Sequence, residues 1–227
     1  MGSEQSIQSD YRRVWEAFGR ASSTADGRHD TPRWRGASGP YAICMIRVPA
    51  PALQPALDSV RGAIAGLPEV RLHPDHFLHI TLQELGFVVE HPSRPDEISA
   101  SRLEEFAQSA IEPVTNARPF EITLGPVNAF EDAIFLEVGG GSRVGKLHSR
   151  LFELAAIPQE PAFAFLPHCT LAHFTGAMSP TAAAAALQPF RSEPLGRIQV
   201  TEVEIVTMEA SEAYPEMENF AVIPLGA

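Results

Sequence analysis

Two short stretches of this chain carry the same pair of reactive side chains. His79-Ile80-Thr81-Leu82 lies in FLHITLQELGF, and His168-Cys169-Thr170-Leu171 lies in FLPHCTLAHF. Side chains alternate between the faces of an extended strand, so the histidine and threonine of each copy point one way and Ile80 or Cys169 the other. Imidazole titrates near pH ~6.5, so a neutral histidine takes a proton from water while a protonated one delivers a proton to a leaving oxygen. A threonine hydroxyl on the same face donates to phosphate oxygens whose charge grows in the transition state. Two copies brought face to face would make a site for moving protons around a phosphate. One His-x-Thr on a strand is more often structural; the recurrence carries the reading. Side chains supply acid, base and oxyanion contacts, so no cofactor and no metal are expected.

The surrounding sequence predicts the elements that must hold these residues. YAICMIRVP, from Tyr41, is an apolar run ended by Pro49 and reads as the first core strand. Leu53, Leu57, Val60, Ile64 and Leu67 follow a helical period between prolines. A second helix is expected over 96–112, stopping before Pro113. PFEITLGPVNAF and AIFLEVGG read as two strands joined by a turn, and 144–157 as a helix packing through Leu147, Leu151 and Leu154. Ser179 and Pro180 open a short alanine-rich helix, and IQVTEVEIVTME and ENFAVIPL read as two last strands. The second half echoes the first, which points to an α+β protein of two similar lobes. Residues 1–38 read as a flexible N-terminal extension and 39–227 as a single bilobal domain. Within the extension, Tyr11, Val14, Trp15 and Phe18 share one helical face, the mark of a short helix docked on the domain or of a lid over a substrate.

A chain of 227 residues, 44% hydrophobic and 20% charged, is long enough for a substantial core. Its formal net charge of -11 argues against holding long duplex nucleic acid, which calls for a basic surface. Lys146 is the only lysine, so phosphate contacts are expected from arginine, whose planar fork grips oxyanions. Cys44 and Cys169 sit in apolar runs and read as buried thiols, which suits a cytoplasmic setting. No stretch approaches the roughly 18 apolar residues of a membrane span, and MGSEQSIQSD lacks the layout of a signal peptide. No membrane partner is expected, and the chain reads as a monomer.

The duplicated motif, the YAICMIRVP strand and a terminal stretch from Tyr214 to Leu225 together resemble the 2H phosphoesterase superfamily, in particular its 2',5' RNA ligase-like and cyclic phosphodiesterase branch. The resemblance implies a bilobal fold with pseudo-twofold symmetry and a central cleft where the two motifs meet. It implies His79 and His168 as the acid/base pair and Thr81 and Thr170 as phosphate ligands, with a small nucleotide or an RNA end as substrate. Many members continue the second motif as HxTLxR; here His173 stands in the place of the arginine. Five residues from His168, its side chain would face away from the cleft on a regular strand, so the change bears on substrate affinity more than on the catalytic step.

Other features compete. Gly140 to Lys146 fits GxxxxGK between a strand and a helix, but Leu147 replaces the Ser or Thr that would hold magnesium. His73, His76 and His79 recur every three residues and invite a metal reading, which a turn at Pro74-Asp75 and strand geometry disfavour. His73, His76 and Tyr214 are better placed as residues of the cleft rim. His148 is expected on a helix surface, and His29 and His91 in polar loops. The rival readings are a metal hydrolase built on the histidine cluster and a non-catalytic module that binds nucleotides or RNA ends.

Overall fold

The first core strand, β1 (Tyr41–Arg47), shows how pattern becomes layer. Ala42, Cys44 and Ile46 enter the main core, while Tyr41, Ile43 and Met45 enter a second apolar cluster on the opposite face. A strand covered on both faces reads as a continuous apolar run, which is what YAICMI is. The structure, a computed structural model, describes residues 4–28, 39–156 and 165–226.

In chain order the elements are α1 (Glu4–Arg20), β1, α2 (Ala56–Ile64), β2 (Val70–Leu72), β3 (His79–Val88), β4 (Glu97–Ile98), α3 (Ala100–Thr115), β5 (Phe120–Ala129), β6 (Ala133–Gly139), α4 (Gly141–Ala155), β7 (His168–Phe174), α5 (Pro180–Leu187), β8 (Gly196–Val200), β9 (Glu202–Met208) and β10 (Glu218–Pro224). They form an α+β fold of two five-stranded sheets, ordered β10-β9-β1-β3-β4 and β2-β7-β6-β5-β8. Pairing is antiparallel except between β3 and the short β4. Each His-x-Thr motif opens a strand one place in from a sheet edge. One core joins the inner faces of both sheets with apolar residues of α2, α3 and α4.

The lobes are more interleaved than an echo of two half-chains predicts. β2, from the first half, pairs with β7, and the C-terminal β9 and β10 complete the first sheet. IQVTEVEIVTME is not one strand: Thr201 separates β8 in the second sheet from β9 in the first. The helix expected over 96–112 begins later, at Ala100, where the Ser99 hydroxyl accepts from the Arg102 N–H at 3.2 Å. It also runs on through Pro113 to Thr115. A proline in the last turn forfeits one backbone bond, and burial of Val114 and Ala110 holds the turn.

The N-terminal stretch is the larger correction. From residue 4 through 28 it is part of the folded body rather than a flexible extension, while 1–3 and 29–38 lie outside the described residues. Ile7, Tyr11 and Phe18 of α1 are buried against the second sheet. The Phe18 ring stacks on Phe174 of β7 at 6.0 Å, and the Arg191 guanidinium lies 4.3 Å over Trp15. Beyond the helix, Thr24, Ala25 and Gly27 donate backbone hydrogen bonds to Met178, Glu131 and Phe174. A helix with this much apolar area buried repays the entropy of ordering a terminus. Phe18→Ala should therefore cost about 3 kcal/mol of stability, the usual range for a buried phenylalanine. Denaturant unfolding measures it, and an unchanged midpoint would show that α1 contributes nothing to the fold.

Candidate functional site

The alternation expected of the two motifs is present in both. Ile80, Leu82, Cys169 and Leu171 lie in the main core, and His79, Thr81, His168 and Thr170 are half-buried on the other face. β3 and β7 belong to different sheets yet lie against each other, with the Cys169 thiol close to the backbone of His79. Burial pushes that thiol's pKa up to about 12, outweighing the opposing pulls of the His79 backbone and of Arg61, so Cys169 is a neutral packing residue. The structure thus sets the two motif-bearing strands side by side.

The histidines are seated by the same device. His79 donates from Nδ1 to the Phe77 carbonyl at 2.7 Å, and His168 from Nδ1 to the Leu166 carbonyl at 2.8 Å, each two residues back. A carbonyl only accepts, so the hydrogen sits on Nδ1 and the Nε2 lone pair remains for chemistry. An aromatic edge braces each ring: Phe77 against His79 and Phe130 against His168, both at 5.3 Å. Each histidine also has a charged cross-strand neighbour held in an ion pair. Arg47, opposite His79, forks onto Glu204 at 2.7–3.1 Å. Glu137, opposite His168, accepts from Arg191 at 2.7 Å and from Asn128 at 2.8 Å. Pairing and hydrogen bonding are what make charges tolerable at this depth. Burial pulls the His168 pKa below its ordinary value, outweighing its Leu166 bond and the charge of Asp132.

An open pocket with a cavity volume of about 70 Å³ adjoins the first motif, lined in part by Tyr41, Arg71, Phe77, His79, Thr81 and Tyr214. Glu84 also lines it, although an odd offset from His79 predicts the opposite face. The reason is a bulge: Cys44 pairs with Gln83 and Met45 with Thr81, so Leu82 is extra and the parity beyond it flips. The second motif bulges at the same step. Ile134 pairs with Ala172 and Phe135 with Thr170, leaving Leu171 extra. His173 therefore does not face away from the cleft as a regular strand would require. Its cross-strand partner is Arg71, which lines the pocket, and its Nδ1 lies 3.1 Å from Nε2 of His73. The two motifs thus share a third position, occupied by Glu84 in one and His173 in the other.

The remaining candidates fall out as follows. His73 is buried rather than on the rim, with its ring 4.7 Å from both His173 and Tyr214. Tyr214 lines the pocket and donates to the Arg71 carbonyl at 3.1 Å, while His76, outside the lining, donates to the Tyr214 carbonyl at 3.0 Å. His73, His76 and His79 bond to three different partners and do not converge on a shared point. In the GxxxxGK stretch α4 already starts at Gly141, and the Glu4 carboxylate from α1 accepts the N–H groups of Gly140 and Ser142 at 3.0 and 3.2 Å. That places a protein carboxylate where a nucleotide phosphate would sit in a P-loop. His148 is not a surface residue. It is half-buried, stacked on Phe165 at 3.8 Å, and donates to the Leu82 carbonyl at the bulge at 2.6 Å. Sequence reasoning missed Arg47, Arg71, Glu84 and Glu137; equal offsets of Glu84 and His173 from their histidines were the available signal for one of them.

The family model of the 2'-5' RNA ligase superfamily matches residues 49–212. The chain belongs to that superfamily. Among solved structures it is similar to Escherichia coli LigT complexed with 3'-AMP, at 18% identity over 84% of this chain and 100% of that one, with a TM-score of 0.59. LigT complexed with phosphate gives a TM-score of 0.58 at 18% identity, again over 84% of this chain and all of LigT. TT0787 of Thermus thermophilus gives 0.58 at 19% identity, over 82% and 97% of the two chains. These likenesses establish the fold of the 2H phosphoesterases. No curated protein matches the chain in sequence. No helix among the described residues is long and apolar enough to cross a membrane.

Burial holds His148 and His168 below the ordinary histidine pKa, so the unfolded chain takes up protons that the folded one refuses. The stability at stake is complete above about pH 6.5 and is lost as pH falls through that value towards the folded pKa values. His148→Gln removes one of the two groups. Its unfolding free energy should fall less between about pH 7.5 and about pH 5.5 than that of the unchanged protein; equal falls in denaturant titrations would contradict the burial argument.

Proposed function

We propose that this chain is a metal-independent phosphoesterase that opens a 2',3'-cyclic phosphate, or cleaves a related 2',5' linkage, on a nucleotide or a short RNA end. The observation that carries the reading is the matched seating of His79 and His168 on abutting strands, each with Nδ1 tied back to a carbonyl and a threonine two residues on. Water attacks phosphorus in line while one imidazole removes its proton. The other imidazole delivers a proton to the ribose oxygen as its bond to phosphorus breaks. Thr81 and Thr170 donate to the non-bridging oxygens. Burial favours the neutral form of His168, which suits the water-activating role and leaves proton delivery to His79. With a 5'-hydroxyl in place of water as the nucleophile, opening of the cyclic phosphate forms a 2',5' linkage and frees the 3' oxygen, so ligation would use the same four residues.

The solved LigT complexes with phosphate and 3'-AMP support a nucleotide-sized substrate for this fold. The open pocket beside His79 offers the rings of Tyr41, Phe77 and Tyr214 for a base to stack on, and the overall charge of -11 disfavours long nucleic acid. A panel of 2',3'-cyclic nucleotides, 2',5'-linked dinucleotides and cyclic-phosphate RNA ends, followed by phosphorus NMR, identifies the substrate and the oxygen that leaves. His79→Ala and His168→Ala should each abolish turnover while the thermal transition is kept; near-normal hydrolysis by either variant rules out the mechanism. Thr81→Ala and Thr170→Ala should each lower kcat on the order of 10- to 1000-fold, the usual value of one oxyanion donor. Activity lost to a chelator and restored by zinc would favour the metal hydrolase instead. Tight binding of an intact cyclic nucleotide without turnover would favour the binding module.

A further inference from the structure

The strand pairing that seats His168 ends at a rung filled from elsewhere in the chain. Glu137 of β6 is the partner of His168, so one more step of the ladder would set Val138 against Pro167. Pro167 has no N–H to offer. At that step lies the hydroxyl of Tyr11, from α1. It accepts from the Val138 N–H at 3.0 Å and donates to the Pro167 carbonyl. One phenol thereby joins the two strands next to His168, using both its donor and its acceptor capacity. Tyr11 is only 1% exposed, and burial pushes its pKa up, so the donor hydrogen is retained at neutral pH.

The rest of the residue points the same way. Its ring lies 6.3 Å from Phe135, whose own ring is 5.5 Å from His168. Its carbonyl accepts from Asn128, the amide that also donates to Glu137. All these contacts lie in the second sheet. α1 itself falls outside residues 49–212, which carry the family match.

We propose that Tyr11 is a positioning residue for the phosphoesterase reaction: by fixing Pro167 it holds the Leu166 carbonyl against His168 Nδ1, and so sets the direction of His168 Nε2. The inference rests on the catalytic role proposed above for His168. Small misplacements of a reacting group cost rate far more than binding.

Tyr11→Phe keeps the buried ring and removes the hydroxyl. With a 2',3'-cyclic nucleotide, kcat should fall about 10- to 100-fold while KM stays within about twofold. Nitrogen-15 spectra of the imidazoles should show His168 leaving the pure Nδ1–H tautomer, with His79 unchanged. Phe18→Ala, on the same helix but packed on Phe174 at the far end of β7 from His168, should lower Tm and leave kcat and the His168 signals as they were. Should Tyr11→Phe fail to fold, Pro167→Ala serves instead: it keeps α1 and the carbonyl that Tyr11 grips, so kcat and the His168 tautomer should stay as in the wild type, and loss of either would show that the proline ring and not the hydroxyl holds the segment, overturning the proposal. A folded Tyr11→Phe with normal kcat and normal His168 signals overturns the proposal, as does an equal kcat loss in Phe18→Ala. The spectra are read whether or not any substrate turns over. An inactive wild type whose His168 tautomer still depends on Tyr11 would sink the phosphoesterase reading and keep the link between the two residues.

Discussion

Strands from different sheets can offer a histidine each to one phosphate only if they run side by side at the motif, and this chain secures that contact from behind. Ile80, Leu82, Cys169 and Leu171 share one core, and the Cys169 thiol lies close to the backbone of His79. The side chains that fill the seam alternate with those that face the cleft, so the packing that holds the strands together also decides which way the histidines and threonines point. A polar or larger residue at Cys169 would disturb both functions at once.

Around that seam each histidine is held by layers of decreasing generality. The carbonyl two residues back fixes the tautomer, and an aromatic edge fixes the ring. The charged residue paired with each histidine across the ladder is then fixed by its own ion pair, Arg47 by Glu204 and Glu137 by Arg191. The two sides differ in what lies beyond. On the first sheet an open aromatic pocket adjoins His79; on the second, α1 covers Phe135 and reaches the rung beside His168. A pseudo-symmetric pair of strands has thus been given unlike surroundings, which is what the acid and base roles proposed for the two histidines require.

The motif and its alternation were legible in the sequence because a two-residue spacing survives any packing that keeps a strand extended. The apolar run of β1, the period of α2 and the Ser179 cap of α5 were legible for the same reason: local pattern and local structure agree. His173 and Glu84 were not, because a bulge follows from how a strand meets its partner, and one extra residue reverses every face beyond it. Pro113 misplaced the end of α3, since tertiary burial outweighed a local breaker. His148 looked like a surface residue on its helix; its partner is a carbonyl 66 positions away in β3. The docking of α1 was half legible, as an apolar face in a polar lead-in, while its bonds to Val138 and Pro167 depend wholly on the fold.

The central claim is that His79 and His168 serve one phosphate. Titrating the protein with inorganic phosphate while following the imidazole signals of both residues tests it most directly. The account predicts that both respond together with a single dissociation constant, and that Thr81→Ala weakens the two responses equally. Movement of one histidine alone, or two different constants, would contradict it.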